Sequence, residues 1–226
     1  MKLNTQESFM LMAQHPEKGR FVISDIQLQY GLIGAILLDL SINGSIRIEN
    51  NVIIPVVKAE GTNKINDEVL QTIIDSPKHR KINAWISRLT RKSRSIKWET
   101  LGNLELRNFF RIEHHKFLGI IPYRKCYLIN KYARQELLTQ LRNIILFQKE
   151  ASSENLVLLG LIEACQMHKQ LAGDKQELKV IKEKMKQIIK ESPIAAGVSE
   201  TIKQVQVAVT TAVISSTIAA SVSTSH

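Results

Sequence analysis

SDIQLQYGLIGAILLDL, residues 24–40, decides the fold class. Ser24-Asp25 is a helix start signal, and Ile26 to Leu40 places apolar residues on nearly every side of a helix. A helix that is apolar all round is a buried helix. Gly31 and Gly34 inside it predict close packing against a neighbour, and Asn43-Gly44 ends it in a turn.

Upstream, Asn4-Thr5-Gln6-Glu7 has capping-box spacing, in which the Glu7 carboxylate reaches back to the Asn4 amide. The short helix that follows shows Phe9, Leu11 and Met12 and ends near His15-Pro16, because the residue before proline avoids the helical region. Glu17-Lys18-Gly19-Arg20 reads as a turn. Downstream, Ser45 to Val57 is β-branched and partly alternating around Asn50-Asn51, which predicts a hairpin with Pro55 at an edge. Asn66 is expected to cap a helix that begins Asp67-Glu68 and runs to Ile74. Ser76-Pro77 is expected to open the next helix, along which Ile82, Trp85, Ile86 and Leu89 keep helical spacing.

Leu101 to His115 reads as an amphipathic helix with Leu104, Phe109, Phe110 and Ile112, and Phe117 to Ile129 as a second hairpin around Pro122-Tyr123-Arg124-Lys125. Helices are expected from Asn130 to Lys149, Ser153 to Leu171 and Asp174 to Ile189. The middle one, with Leu156, Val157, Leu158, Leu159, Leu161 and Ile162, is the candidate central core helix. Ser192-Pro193 is a break. Beyond it Val205, Val207 and Val209 alternate as in a strand, but Ile202, Val205, Val209 and Val213 keep helical spacing, and a helix is preferred. The fold class expected is mainly α, a single helical domain decorated with small β-hairpins. Residues 1–192 form that domain, and 193–226 form a segment rich in Ser, Thr, Val and Ala, helical and docked or partly mobile.

The 226 residues, 44% of them apolar, suffice for one full hydrophobic core. Thirty-one Lys and Arg against 21 Asp and Glu leave a net charge of +10, which attracts nucleic acid, anionic lipid or acidic partners. Cys126 and Cys165 lie far apart with no CxxC, and read as reduced thiols of a cytosolic protein. Met1 to Met12 contains no apolar stretch of a secretory signal. Val205 to Val222 carries too many Ser, Thr and Gln residues for a comfortable membrane span.

Motifs of catalysis do not emerge. His114-His115 is a doublet rather than an i, i+4 ligand pair and reads as a surface feature beside Lys116. There is no GxSxG nucleophile elbow, and Gly31-Leu32-Ile33-Gly34 falls within a helix instead of forming a phosphate-cradling loop. The expectation is a protein that binds, with no enzymatic activity, no metal and no cofactor. The positive signal is placement of charge. Ser76 to Trp98 holds Lys78, Arg80, Lys81, Arg88, Arg91, Lys92, Arg94 and Lys97 with no Asp or Glu, so this block carries +8 of the net +10. Clustered charge makes a focused field where scattered charge serves solubility. Trp85 falls on the apolar stripe and belongs to the core, while Trp98 suits an interfacial anchor.

Several segments, in order, resemble the Golgi phosphoprotein 3 family. They are Glu17-Lys18-Gly19-Arg20-Phe21, then Tyr30 to Leu40 with its Gly-Leu-x-Gly, then Asn43-Gly44-Ser45-Ile46. Asn66-Asp67-Glu68-Val69-Leu70 and Asn83-Ala84-Trp85-Ile86-Ser87-Arg88-Leu89 follow, and the likeness runs from about Leu3 to Leu171. The resemblance implies a mainly helical domain with small hairpins and a peripheral membrane protein that binds phosphatidylinositol 4-phosphate. The family's lipid pocket uses a Trp, an Arg within the glycine motif and an Arg-x-x-Arg pair. In register these positions fall on Ser24, Ile33, Gly102 and Glu105, none of which matches. The resemblance also implies self-association through a hydrophobic hairpin, here Phe117 to Ile129 with Leu118, Ile120, Ile121 and Tyr123. The function expected is reversible attachment of a cytoplasmic protein, an adaptor, to anionic membrane through Lys78, Arg80, Lys81, Arg88, Arg91, Lys92, Arg94, Lys97 and Trp98. The alternative partner for the same block is nucleic acid, whose phosphate chain rewards the same clustered charge.

Overall fold

In the computed structural model, which describes residues 3–56, 61, 63–191 and 196–223, the chain is mainly helical with two small antiparallel sheets. The elements are α1 (Thr5–Ala13), α2 (Asp25–Ile42), β1 (Ile46–Glu49), β2 (Val52–Pro55), α3 (Lys64–Ile74), β3 (Arg80–Lys81), α4 (Ile82–Thr90) and α5 (Ser93–Leu106). After these come β4 (Phe110–Phe117), β5 (Ile121–Leu128), α6 (Lys131–Phe147), α7 (Ser153–Ala164), a 3-10 turn (His168–Gln170), α8 (Lys175–Glu191) and α9 (Ala196–Ser223).

Local chemistry sets the helix starts. Asn4 accepts from the Glu7 amide at 2.9 Å while the Glu7 carboxylate accepts from the Asn4 amide at 3.0 Å, the capping box expected of α1. Ser24 and Gln27 form a second box at the start of α2. Asn63, Asn130 and Ser152 cap α3, α6 and α7 by the same means. By contrast α4 and α5, which carry Arg88, Arg94 and Lys97 of the basic block, begin with no side-chain cap and no acidic residue in the first turn.

Helix α2 is the hub, with α1, α4, α5, α7 and α9 packed around it. It has the length and hydropathy of a membrane span, yet Leu28, Leu32, Ile33, Ile36, Leu37, Leu38 and Leu40 are all fully buried by its neighbours. The glycines explain the closeness. A Cβ on Gly31 would stand 2.4 Å from Phe9 Cζ and 2.6 Å from Cys165 Sγ, and one on Gly34 would stand 2.6 Å from a methyl of Val205. Gly160 of α7 meets Ile202 Cδ1 at 2.5 Å in the same way. Helix α9 therefore lies across both α2 and α7, burying Val198, Ile202, Val205 and Val209, and the C-terminal stretch is helix and not strand. A buried polar knot joins the periphery to this hub: Asp39 of α2 accepts from Thr5 Oγ1 at 2.8 Å and from Asn66 Nδ2 at 2.6 Å.

Several expectations need correction. The cap of α3 is Asn63, three residues before Asn66, whose side chain is spent on Asp39. The hairpin forms around Asn50-Asn51 as expected, but β2 is the middle strand of a three-stranded sheet, because Arg80 and Lys81 pair with Ile53 and Val52. Pro55 is tolerated there since β3 stops short of it. Pro77 thus stands in a bend before β3 and not in the first turn of α4. The helix expected over Leu101–His115 ends at Leu106, and Phe110 begins a strand. Helix α7 stops at Ala164, where Cys165 and Gln166 turn the chain into the 3-10 turn. Val57 and the Ser192-Pro193 break lie outside the described residues.

Gly34→Ala should lower stability by about 1–3 kcal/mol in chemical denaturation, through overlap with Val205, despite alanine's better helix propensity. Val205→Ala should cost stability alone yet relieve that overlap, so the double variant should lose less than the sum of the singles. Strict additivity would show that α9 does not rest on Gly34.

Candidate functional site

Strands β4 and β5 form a long hairpin, paired from Phe110 with Leu128 to Phe117 with Ile121. Its base is rooted in the core through Phe110, Cys126 and Leu128. Gln14 Nε2 donates to the Cys126 carbonyl at 2.7 Å, and the Glu105 carboxylate accepts from the Ile112 amide at 2.6 Å. Beyond Glu113 and its partner Lys125 the strands leave the core. Phe117, Leu118, Ile120 and Ile121 at the tip are 58%, 80%, 81% and 58% exposed. The turn itself is strained: the Ile120 amide bonds the Phe117 carbonyl at 3.1 Å, with Leu118 at φ 50° and Gly119 at φ 74°. Asn and Gly suit left-handed turn positions, and the short hairpin uses Asn50-Asn51 there; a leucine is unusual.

Just behind the tip, the hairpin and the start of α5 enclose an open cavity of about 480 Å³. Arg94 and Trp98 of α5 line one wall; His114, His115, Lys116, Tyr123 and Arg124 of the hairpin line the other. The Trp98 ring joins the two walls, with the Arg124 guanidinium 4.3 Å and the Lys97 ammonium 5.2 Å from its centre. His115 and Tyr123 stack at 5.2 Å across the strands. Lys97 also stands 5.8 Å from the Phe21 ring and 4.0 Å from the Asp25 carboxylate at the start of α2. Burial pushes its pKa down, and Asp25 pulls it partly back.

The basic block does not form one patch. Lys78 precedes β3, Arg80 and Lys81 form it, Arg88 lies on α4, Arg91 and Lys92 in the turn, and Arg94 and Lys97 on α5. Among the sequence-derived site residues, Arg94, Lys97 and Trp98 meet the hairpin. Tyr123 departs from Leu118, Ile120 and Ile121, since its ring forms the cavity wall rather than the tip. Trp85 is 1% exposed and belongs to the core. Sequence reasoning missed His114, His115, Lys116 and Arg124 as partners of α5. The available signal was the alternation of Phe110, Ile112 and His114, which marks a strand.

The four pocket positions lie elsewhere. Ser24 is the cap of α2, Ile33 is fully buried, Gly102 faces open space and Glu105 holds the β4 amide. Cys126 and Cys165 are free and buried, and burial pushes both thiols up to about 12, which leaves them protonated and unreactive near neutral pH. Among the described residues no group of three His, Cys, Asp or Glu side chains could hold a metal ion.

Residues 6–205 match the family model described as Golgi phosphoprotein 3 (GPP34), and the chain belongs to that family. No curated protein matches it as a relative.

Trp98→Ala should free the hairpin from α5 by removing cation–π contacts that contribute about 0.5–2 kcal/mol each. Hydrogen exchange of the β4 and β5 amides should quicken while α2 stays protected. Unchanged exchange in the hairpin would show that Trp98 does not hold it.

Proposed function

We propose that this member of the Golgi phosphoprotein 3 family is a peripheral membrane-binding protein that recognises phosphorylated anionic headgroups and serves as a lipid-linked adaptor. The supporting observation is the union of an exposed apolar tip with a cationic cavity directly behind it. Phe117, Leu118, Ile120 and Ile121 reach the depth of acyl chains when Arg94, Lys116 and Arg124 stand at headgroup level. Each buried methylene at the tip contributes about 0.8 kcal/mol and each cation near an anionic surface about 1 kcal/mol. A strained leucine turn at such a tip favours a functional reading, because Leu118 in the left-handed region has no folding advantage there.

Two further features favour phosphate. Helix α5 begins uncapped, with Arg94 in its first turn at the positive end of the helix dipole. Cations there disfavour the helix by a few tenths of a kcal/mol unless an anion joins them. Arg94 and Lys97 also stand three residues apart, the spacing of the basic pair implied by the family resemblance, and Lys97 is set against the start of α2 at Asp25. They offer a grip for the phosphomonoester of phosphatidylinositol 4-phosphate by a pair other than Gly102 and Glu105, with Arg94 and Arg124 able to bind bidentately. Self-association through Leu118, Ile120 and Ile121 would use the same tip, so membrane and second copy compete for it.

Co-sedimentation with phosphatidylcholine vesicles containing phosphatidylinositol 4-phosphate tests this. Substituting Arg94, Lys97 and Arg124 by Ser should weaken binding by ~100-fold, about 1 kcal/mol per cation. Leu118→Asp with Ile120→Asp should abolish binding and leave the circular dichroism spectrum intact. Light scattering on Ile120→Asp with Ile121→Asp should show any wild-type oligomer dissociated. Sub-micromolar binding to duplex DNA with a steep salt dependence, and none to vesicles, would overturn the proposal.

A further inference from the structure

A second cavity of about 460 Å³, sharing no lining residue with the first, opens between the approach to α2, the 3-10 turn, α8 and α9. Its rim carries three ammonium groups, Lys169, Lys182 and Lys186. Lys182 and Lys186 are one helical turn apart on α8, a like-charge arrangement that costs a helix a few tenths of a kcal/mol. Neither they nor Lys169 forms an ion pair or hydrogen bond within the described residues. One carboxylate reaches the cavity, Glu163, and it is spent: His168 Nε2 lies 2.5 Å from its oxygen, with both side chains largely buried. The amides of Gln166 and Gln206 face the same space.

The left-handed backbone at Gln166, φ 57°, folds the chain after α7 so that His168 is brought back against Glu163 and Lys169 faces α8. Two short apolar side chains, Val22 and Ile23, complete the wall, and no Phe, Tyr or Trp is among its lining residues. The His168 hydrogen bond, with Lys182 and Lys186 nearby, holds the Glu163 carboxyl below its ordinary range and so ionised, and the basin sets three ammonium groups and several donors against that one carboxylate. Such a set complements a ligand that is acceptor-only and multiply charged.

We propose that this basin is a second anion site, separate from the hairpin cavity, that takes a compact polyanion of the phosphomonoester or pyrophosphate class. The volume exceeds that of a lone phosphate and admits a phosphorylated polyol. Lysine in place of arginine supplies point charges that follow a ligand rather than a fixed fork, which suits several phosphates around one ring. The ligand is either a soluble phosphate ester or a phospholipid headgroup, and the shared chemistry is a dianionic phosphate.

Calorimetric titration of the full chain with inorganic pyrophosphate tests the site. The variant K169Q/K182Q/K186Q should weaken pyrophosphate binding at least ~10-fold. The control K175Q/K179Q/K190Q removes the same charge from α8 outside the basin, and should stay within about twofold. In parallel, both variants are sedimented with phosphatidylcholine vesicles containing phosphatidic acid. Loss of pyrophosphate binding alone identifies a soluble ligand; loss of both identifies a headgroup. A wild-type chain that binds no pyrophosphate at millimolar concentration, or a control that loses as much as the basin variant, overturns the proposal. Neither variant touches Arg94, Lys97, Arg124 or the hairpin tip, so the two sites fail or stand separately.

Discussion

Close approach of helices at three glycines governs the rest of this molecule. Gly31 admits Phe9 and Cys165, Gly34 admits Val205, and Gly160 admits Ile202, so α1, α7 and α9 each pack directly against α2, and α7 also packs on α1 and α9. A core of this density leaves few voids, and each helix is fixed by its neighbours more than by its own propensity. The consequence for function is positional. With α2 immobilised, the segment Val22 to Asp25 that leads into it is fixed in place, and cationic groups stand beside it at two points. Lys97 stands at Asp25 and near the Trp98 ring, and Val22, Ile23 and Gln27 line the lysine-rimmed cavity.

Electrostatics divides the helices into two kinds. Where the chain needs only stability, a side chain closes the helix start, as Asn4, Ser24, Asn63, Asn130 and Ser152 do. At α4 and α5 the start is left open and cations stand near the positive end of the dipole. That arrangement costs stability and is offset by the core contacts of Ile82, Trp85, Ile86, Leu89, Ile96, Leu101 and Leu104. Arg88, Arg94 and Lys97 are therefore carried by helices anchored along their apolar sides, with donor groups left available at their starts.

Much of the fold was legible because burial and capping are local. The all-round apolar run of α2, the box at Asn4, the start signal at Ser24 and the Asn50-Asn51 turn are written in adjacent residues. What was not legible depends on partners remote in sequence. The third strand Arg80–Lys81 exists because Val52 and Ile53 lie beside it and because the Ile82 amide reaches the Asn51 carbonyl at 3.0 Å. Phe110 to His115 looked helical because Phe109, Phe110 and Ile112 fit a helical face, whereas pairing with β5 settles the matter. The site was only half legible for the same reason. The basic run and the apolar hairpin were visible as two features, but their meeting at Trp98 needs Arg124, which is remote from it in sequence and sits on the second strand of the hairpin.

The contrast between the two hairpins carries the last step. Both turn through left-handed residues, Asn50 and Asn51 in one, Leu118 and Gly119 in the other. Asparagine adopts that region readily because its side chain bonds locally, so the first hairpin turns with little strain and stays close to the core through Ile46 and Ile53. Leucine has no such compensation, and at 80% exposure Leu118 gains nothing from the fold. Two unfavourable terms, backbone strain and exposed apolar area, are thus concentrated at one tip whose strands carry Arg111, Lys116, Arg124 and Lys125 against the single carboxylate of Glu113. An environment that is apolar beyond the tip and anionic behind it reverses the solvation term and satisfies the charge together. A membrane interface bearing phosphorylated headgroups has that layering, and water has neither half of it.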